Sequence, residues 1–217
     1  MAAGVSIIAT ATISTERRGE LLAAQILRLL ASLEEPALAS YLGDWPGASA
    51  SRTVPTRELP VLRWLPAIAG GACAFGAELV AAVCHDAASM AWRQSYSSEE
   101  LDREFLDNYG WCEILGHRGP LASERLACGF LILGPSTHYP RHRHEAEEVY
   151  LPLSGTAAWL QGDAVWRERA PGTLIFHASE EPHAMRTGAA PLLALYLWRS
   201  SNLAQQARLD RGFHAAG

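Results

Sequence analysis

Four residues suited to metal binding or acid–base chemistry lie close together in residues 134–155. His142, His144, Glu148 and Tyr150 share one parity, and side chains of one parity point to one face of an extended chain. Imidazoles and a carboxylate are ligands for divalent transition ions such as Zn²⁺, Fe²⁺, Mn²⁺ or Ni²⁺. A catalytic site of this kind keeps one coordination position open for water or substrate. The spacing therefore predicts a single-metal site.

A further ligand is expected from a distant strand, because two histidines and one glutamate supply only three. His183 is the candidate, since Pro182 and the acidic residues before it would place it at the entrance of a strand. His177 ends the apolar segment LIFH and competes for this role, although a single histidine in such a position is more typical of a structural residue. Whether His177 contributes to the site stays open, and a solvated polar loop is the alternative for the whole group.

The elements that must position these residues are β-strands. From residue 124 onward, short runs rich in Leu, Val, Ile, Trp and Tyr alternate with turn signals such as Ser154-Gly155 and Pro171-Gly172. Val149, Leu151 and Leu153 have the parity opposite to that of the polar residues, as a strand between a polar cavity and a hydrophobic layer requires. This pattern predicts a mainly β fold built as a double-sheet barrel or jelly roll.

The first half of the chain is predicted to be mostly helical. Residues 14–33 carry apolar residues at helical spacing behind a Ser/Thr start, and residues 43–60 indicate a connecting loop. A second helical block is expected over residues 75–95, and a capping box of Ser97 and Glu100 predicts a third helix that reaches Asn108. We therefore expect an N-terminal helical region over residues 1–107, packed on a barrel domain over residues 108–217.

Composition excludes several classes of partner. The chain has 217 residues, 49% of them hydrophobic, and a net charge of −5 without a basic stripe, so nucleic acid is not expected. The apolar run from Val5 to Thr12 is short and lacks preceding positive residues, and no stretch is long enough to span a bilayer. The four cysteines are spaced too widely for a zinc knuckle. We expect a cytoplasmic protein with a small-molecule substrate, and a homodimer stays open.

The string HRHEAEEVYLPLSG, from His142 to Gly155, resembles the first motif of the cupin superfamily, in which HxHxxxE is followed after six residues by Gly. The spacer from Gly134 is two residues longer than usual. The second cupin motif is matched in kind by Pro171-Gly172 and Pro182-His183, but Glu180 replaces a glycine and Thr187 replaces an asparagine. The resemblance implies a cupin double-stranded β-helix.

Within the cupins, the segment HYPRHRHEAEEVYLPLSG, together with NYGWCEILG and LYLWRS, resembles the dimethylsulfoniopropionate (DMSP) lyases of the DddL and DddQ type. By this resemblance His144, Glu148 and His183 correspond to metal ligands, and His142 to a ligand or pocket residue. Tyr150 corresponds to a catalytic base beside the metal. The remaining correspondences are aromatic residues of the substrate pocket: Tyr139, Trp198 and Tyr196. Tyr139 is also a candidate catalytic residue.

The activity that the resemblance implies is a carbon–sulfur lyase reaction. A base removes the proton next to the carboxylate of DMSP, and dimethyl sulfide leaves from the neighbouring carbon to give acrylate. Three alternatives use the same ligands: a cupin lyase or hydrolase acting on another small carboxylate, an Fe²⁺ dioxygenase, and a cupin that binds without catalysis.

Overall fold

The computed structural model describes residues 14–210, in which helices precede a β-barrel. The apolar run from Val5 to Thr12 lies outside the described residues. The helices are α1 (Thr15–Ser32), α2 (Ala39–Gly43), α3 (Leu65–Gly70), α4 (Ala77–Asp86) and α5 (Arg103–Asp107), with 3₁₀ turns at Pro36–Leu38, Pro60–Trp64 and Ala87–Ser89. The strands are β1 (Tyr109–Leu115), β2 (Leu126–Leu133), β3 (His138–Arg143), β4 (Glu147–Ser154), β5 (Ala157–Gln161), β6 (Arg167–Arg169), β7 (Ile175–His177), β8 (His183–Thr187), β9 (Leu192–Arg199) and β10 (Arg208–Leu209).

The strands form two antiparallel sheets of five strands each. The first sheet has the order β1-β2-β9-β4-β7, and the second has the order β10-β3-β8-β5-β6. Leu131, Tyr150 and Tyr196 of the first sheet share a buried cluster with Trp159 and Met185 of the second. The sheets therefore enclose one interior between them, and the prediction of a mainly β cupin barrel behind an N-terminal helical region is confirmed.

The other face of the first sheet carries the main hydrophobic core. Phe130 of β2 and Val149 and Leu151 of β4 pack in one buried cluster with helical residues such as Ile26 and Val83. Alternate residues of β4 thus point either into the barrel interior or into the helical core, as the parity of the sequence predicts. The helices stabilise this face because it would otherwise expose a broad apolar surface to water.

Helix α1 begins directly after Ser14, as the sequence predicts. The Ser14 side chain accepts a hydrogen bond from the backbone N–H of Arg17, and Glu16 lies in the first turn, where a negative charge is favourable. Ile26 and Leu30 on its apolar stripe are fully buried. The predicted amphipathic helix over residues 14–33 is confirmed, to within a residue at each end.

Two further helix predictions are wrong in extent. The block predicted over residues 75–95 is helical only in α4 and the short turn after it. Met90 is already extended, and Arg93 pairs with Trp111 of β1. Glu100 does accept hydrogen bonds from Ser97, but only a turn follows, and α5 is capped instead by Asp102. Tertiary pairing and a better cap override the local helical pattern in these segments.

Helix α5 ends at Asp107 and β1 begins at Tyr109. The division of the chain into domains at residue 107 nevertheless stays a prediction, because the helices and the first sheet share a core. Among the helices of the described residues, none combines the length and the apolar character that a membrane crossing requires.

Candidate metal centre

Cross-strand pairing brings the polar residues together inside the barrel. His142 of β3 pairs with His183 of β8, and Glu148 of β4 lies between Trp198 of β9 and His177 of β7. Neighbours across antiparallel strands have β-carbons about 5 Å apart, so their side chains meet on the same face. Residues separated by up to 56 positions in sequence thereby come together in the interior.

A bulge in β3 adds Tyr139 to this group. Tyr139 pairs with Met185 and His142 pairs with His183, so three steps along β3 correspond to two along β8. The extra residue reverses the alternation, and side chains of opposite parity therefore face the same interior. The ring of Tyr139 stacks on that of His142, with centroids 4.0 Å apart and planes 11° from parallel.

Three buried histidines present one type of nitrogen to a common point. Ring nitrogens of His142, His144 and His183 lie within 4.8 Å of one another, and the three residues are at most 3% exposed. Nδ1 of each ring lies 2.8–3.0 Å from a backbone carbonyl two residues away along the chain. A carbonyl only accepts, so Nδ1 carries the proton and a neutral ring keeps its lone pair at Nε2. Such orientation of the ring is typical of metal-ligating histidines.

The Glu148 carboxylate completes the donor set. Its Oε2 lies 3.0 Å from Nε2 of His144 and 3.2 Å from Nε2 of His183, and the residue is 1% exposed. Burial would raise the pKa of Glu148, but the two imidazoles outweigh it and hold that pKa well below its ordinary value. Burial, together with the other two imidazoles, lowers the pKa of His142, which favours its neutral form.

These contacts fit a bound divalent cation. Ligand atoms that lie 2.0–2.2 Å from one ion are separated from each other by roughly 3–3.5 Å, which is the spacing between Glu148 and the two imidazoles. Nε2 of His183 is also buried and has no hydrogen-bond partner among residues 14–210. Nitrogen lone pairs and a carboxylate oxygen repel each other at this distance unless a positive charge lies between them. A bound cation would supply that charge. The histidine cluster could thus hold a metal.

Two residues of the same interior contact the ligands through their side chains. Trp198 donates from Nε1 to Oε1 of Glu148 at 2.7 Å, and its ring packs on His144 with centroids 4.3 Å apart. Tyr150 follows Glu148 by two residues on β4 and pairs with Tyr196. Burial and the nearby charge of Glu148 raise the pKa of Tyr150 well above its ordinary value when no cation is present.

His177 lies beside the three-histidine group and not within it. Its ring stacks on His183 at a centroid distance of 4.0 Å, and neither ring nitrogen has a hydrogen-bond partner among the described residues. Burial, reinforced by His183, lowers the pKa of His177 to about 2. His177 is therefore a neutral, buried neighbour of a ligand residue.

The two departures from the cupin pattern have local explanations. Glu180 stands where the motif has glycine and adopts the left-handed conformation, with φ of 60°, while its N–H donates to the carbonyl of His144. Thr187 stands in place of asparagine, and its hydroxyl donates to the carbonyl of Gly134 and accepts from the N–H of Thr137. Both residues still make the connections that shape the site.

A cavity of about 240 Å³ opens beside these ligands. Its wall includes six of the residues singled out from the sequence, namely Tyr139, His142, Glu148, Tyr150, Tyr196 and Trp198. Sequence reasoning missed other residues that line the cavity, namely Arg93, Trp111, Arg118, Gln205 and Gln206. Only NYGWCEILG, which includes Trp111, gave a signal in the sequence, through its resemblance to the DMSP lyases.

Two curated relatives share the part of the chain that carries the site. The dimethylsulfoniopropionate lyase DddQ of Ruegeria pomeroyi is 39% identical over 108 residues, which are 50% of this chain and 54% of the relative. A protein of Cereibacter sphaeroides, named as a DMSP lyase of the DddL type, is 38% identical over 122 residues, or 55% of this chain and 50% of the relative. The matches thus span about half the length of each curated relative.

Solved structures extend the similarity to nearly the whole chain. The crystal structure of DMSP lyase DddQ from Ruegeria pomeroyi superimposes with a TM-score of 0.82 at 30% identity, covering 91% of this chain and 98% of that one. A chain from a crystallographic study of the DMSP lyases RdDddP and RnDddQII gives a TM-score of 0.78 at 30% identity, covering 88% and 99%. The family model of dimethylsulfoniopropionate lyases matches residues 45–194. With its barrel, its cluster of buried histidines and these matches, the chain belongs to the DMSP lyase family.

Proposed function

We propose that this protein is a metal-dependent DMSP lyase that cleaves DMSP by β-elimination to dimethyl sulfide and acrylate. Tyr150 acts as the base, and His142, His144, Glu148 and His183 hold one divalent transition ion. The native ion is one of Zn²⁺, Fe²⁺, Mn²⁺ and Ni²⁺. A cytoplasmic location and a homodimer stay predictions.

The observation that carries the proposal is the convergence of three Nε2 atoms on one point beside a cavity, in a chain of this family. A cluster of buried imidazoles next to a buried carboxylate is costly to fold unless the groups share a ligand. Apolar residues could fill the same volume of the core, so the presence of this polar cluster is best explained by a functional role.

The reaction requires one proton transfer and one bond cleavage. The Tyr150 oxygen accepts the proton from the carbon next to the carboxylate, and the electron pair of that C–H bond forms the carbon–carbon double bond. The electrons of the C–S bond leave with sulfur, so the sulfonium departs as neutral dimethyl sulfide. Tyr150 then returns its proton to water and restores the site.

Aromatic rings of the cavity accommodate the cationic end of DMSP. Trp198, Tyr196 and Tyr139 line the cavity, and each π-face that aligns with the sulfonium contributes roughly 0.5–2 kcal/mol. The indole N–H of Trp198 donates to Glu148 and one face of its ring packs on His144, so the opposite face of the ring is the one left for the substrate.

Tyr150 needs a positive neighbour to serve as a base, because burial and the charge of Glu148 raise its pKa. A bound divalent cation would supply both that positive charge and Lewis-acid stabilisation of the charge that develops on the substrate carboxylate. Burial of the site strengthens such charge interactions, since little water remains to screen them.

The test is Tyr150→Phe, compared with the parent protein for bound metal and for release of dimethyl sulfide and acrylate. Loss of a general base lowers turnover by about 10²- to 10⁴-fold, and metal content should stay at the parent level. Chelation of the parent should abolish turnover, and the reaction should proceed without oxygen.

Tyr41→Phe is the matched control. Tyr41 is fully buried in the helical core, and its hydroxyl has no hydrogen-bond partner among the described residues. The control should turn over at the parent rate. Parent-level turnover by Tyr150→Phe would refute the base assignment, and turnover that survives exhaustive chelation would refute the metal-dependent reaction altogether.

One observation favours a second candidate, a lyase acting on another small carboxylate. Arg93 lines the cavity, and its buried Nε has no hydrogen-bond partner among residues 14–210. A guanidinium there repels a sulfonium and attracts an anion. Faster elimination from β-substituted propionates that carry a second carboxylate than from DMSP would establish this alternative.

A further inference from the structure

Residues 200–210, which we name the strap, contact the segments around the candidate metal centre and lie beyond the part of the chain that the family model covers. Arg118 donates to the carbonyls of Leu203 and Ala204 and anchors one side of the strap. On the other side, Leu209 of β10 pairs with His142 of β3. Gln205 and Gln206 lie between these anchors and line the cavity.

Gln205 uses both ends of its amide. Its Oε1 accepts hydrogen bonds from the backbone N–H groups of Glu145 at 2.6 Å and Ala146 at 3.3 Å. Its Nε2 donates to the carbonyl of Asn202 at 2.7 Å and to the hydroxyl of Ser200 at 3.3 Å, which fixes the side chain on the strap itself. The amide of Gln205 thus links the strap to the turn at residues 144–146 by hydrogen bonds.

That turn determines the orientation of a ligand histidine. Nδ1 of His144 donates to the carbonyl of Ala146 at 3.0 Å, and this bond keeps the lone pair of His144 at Nε2. The turn joins β3 to β4 and has no strand partner of its own, so its N–H groups depend on Gln205. Without that acceptor the turn loses the contact that holds the Ala146 carbonyl against the ring.

The strap also contacts the segment that carries a second ligand. Arg208 pairs with the carboxylate of Glu180 at 2.7 Å, and the N–H of Glu180 donates to the carbonyl of His144 at 2.8 Å. Glu180 lies in the loop that leads into His183. Three segments that bear histidine ligands therefore meet the strap: β3, the turn at residues 144–146, and the loop before β8.

We infer that Gln205 is a positioning residue of the metal centre, which fixes the His144 imidazole for coordination through the turn at residues 144–146. The inference rests on the metal site of the proposed function and extends it to a part of the chain with no ligand of its own. Partners that orient a ligating histidine typically affect metal affinity by 10- to 100-fold.

The experiment measures Co²⁺ affinity by competition with a chromophoric chelator, in the absence of any substrate. Gln205→Leu removes the acceptor, Gln205→Glu retains it, and Gln206→Leu alters the neighbouring, exposed residue of the strap. We expect Gln205→Leu to bind Co²⁺ at least tenfold more weakly and to change the visible d–d spectrum of the bound ion. Gln205→Glu should stay within about threefold of the parent and keep its spectrum, as should Gln206→Leu.

Each outcome bears on the inference. Parent-like affinity and spectrum in Gln205→Leu would overturn it and leave the proposed function intact, whereas a parent protein that binds no divalent ion would overturn both. If Gln205→Leu does not fold, as judged by circular dichroism, Gln205→Asn replaces it. Its shorter side chain withdraws the oxygen from the turn, so parent-like Co²⁺ binding by that variant would equally overturn the inference.

Discussion

Trp198 lines the cavity and also contacts residues proposed to bind the metal, and Trp198→Phe is the substitution that separates these two roles. The indole N–H donates to Oε1 of Glu148 at 2.7 Å, while Oε2 of the same carboxylate faces His144 and His183. The hydrogen bond therefore decides which oxygen faces the imidazoles. Phenylalanine keeps an aromatic ring over His144 but leaves Oε1 without its donor.

The size of the effect follows from this one contact. A hydrogen bond to a charged group contributes about 1.5–3 kcal/mol, and Glu148 is ionised and buried. At about 1.4 kcal/mol for each factor of ten, the loss corresponds to roughly 10- to 150-fold in affinity. A cation that binds Glu148 takes up part of the same charge, so we expect the lower half of that range, about 10- to 30-fold weaker metal binding.

The assay is competition with a chromophoric chelator for Zn²⁺ or Co²⁺, on purified protein without substrate. Trp111→Phe is the matched control, because Trp111 lines the same cavity and donates its indole N–H to the hydroxyl of Ser95, remote from the ligands. The control should change metal affinity by less than about twofold. Equal affinities for the two variants would refute the idea that Trp198 orients the carboxylate.

Two further predictions concern stability. A β-carbon at Gly129 would lie 1.9 Å from the carbonyl oxygen of Cys112. Gly129→Ala should therefore lower the free energy of unfolding, measured by denaturant titration, by about 3 kcal/mol. Gly188→Ala is the control and should not lower it, because the space around Gly188 is open. Burial raises the pKa of Glu113 above its ordinary 4.5, although the N–H groups of Arg118 and Gly119 oppose this. The stabilising contribution of Glu113 is therefore complete below about pH 4.5 and is lost as the pH rises through the raised pKa. Glu113→Gln should flatten the dependence of unfolding free energy on pH above 4.5, and a slope equal to that of the parent would contradict this.

The sequence predicted those parts of the fold that depend on local pattern. The Ser14 cap and the apolar stripe of α1 are local features, and so is the alternation along β4 that separates Glu148 and Tyr150 from Val149 and Leu151. Each of these signals depends on residues within a few positions of one another. Strong periodicity therefore identified the elements, even where it misjudged their ends.

Features that arise from the three-dimensional arrangement of the chain could not be predicted from the sequence. The parity argument for residues 142–150 allowed for a turn between His144 and Glu148, and such a turn separates β3 from β4. His144 lies in that turn and contacts Glu148, four residues further on in β4. Tyr139 has the opposite parity and joins the site only through the bulge in β3, which no local pattern indicates. Gln205 acts on a turn sixty residues away, in a segment with no motif.

The register of β4 links stability to chemistry. Glu148 pairs with Trp198 and Tyr150 pairs with Tyr196, while Val149 and Leu151 between and after them fill the helical core. A shift of β4 by one residue would place the carboxylate among helical residues and the aliphatic side chains in the cavity. An unpaired charge in such a core costs several kcal/mol, so the hydrophobic layer itself selects the register that assembles the metal centre. Substitutions that loosen the pairing of β4 with β9 should therefore weaken folding and metal binding together.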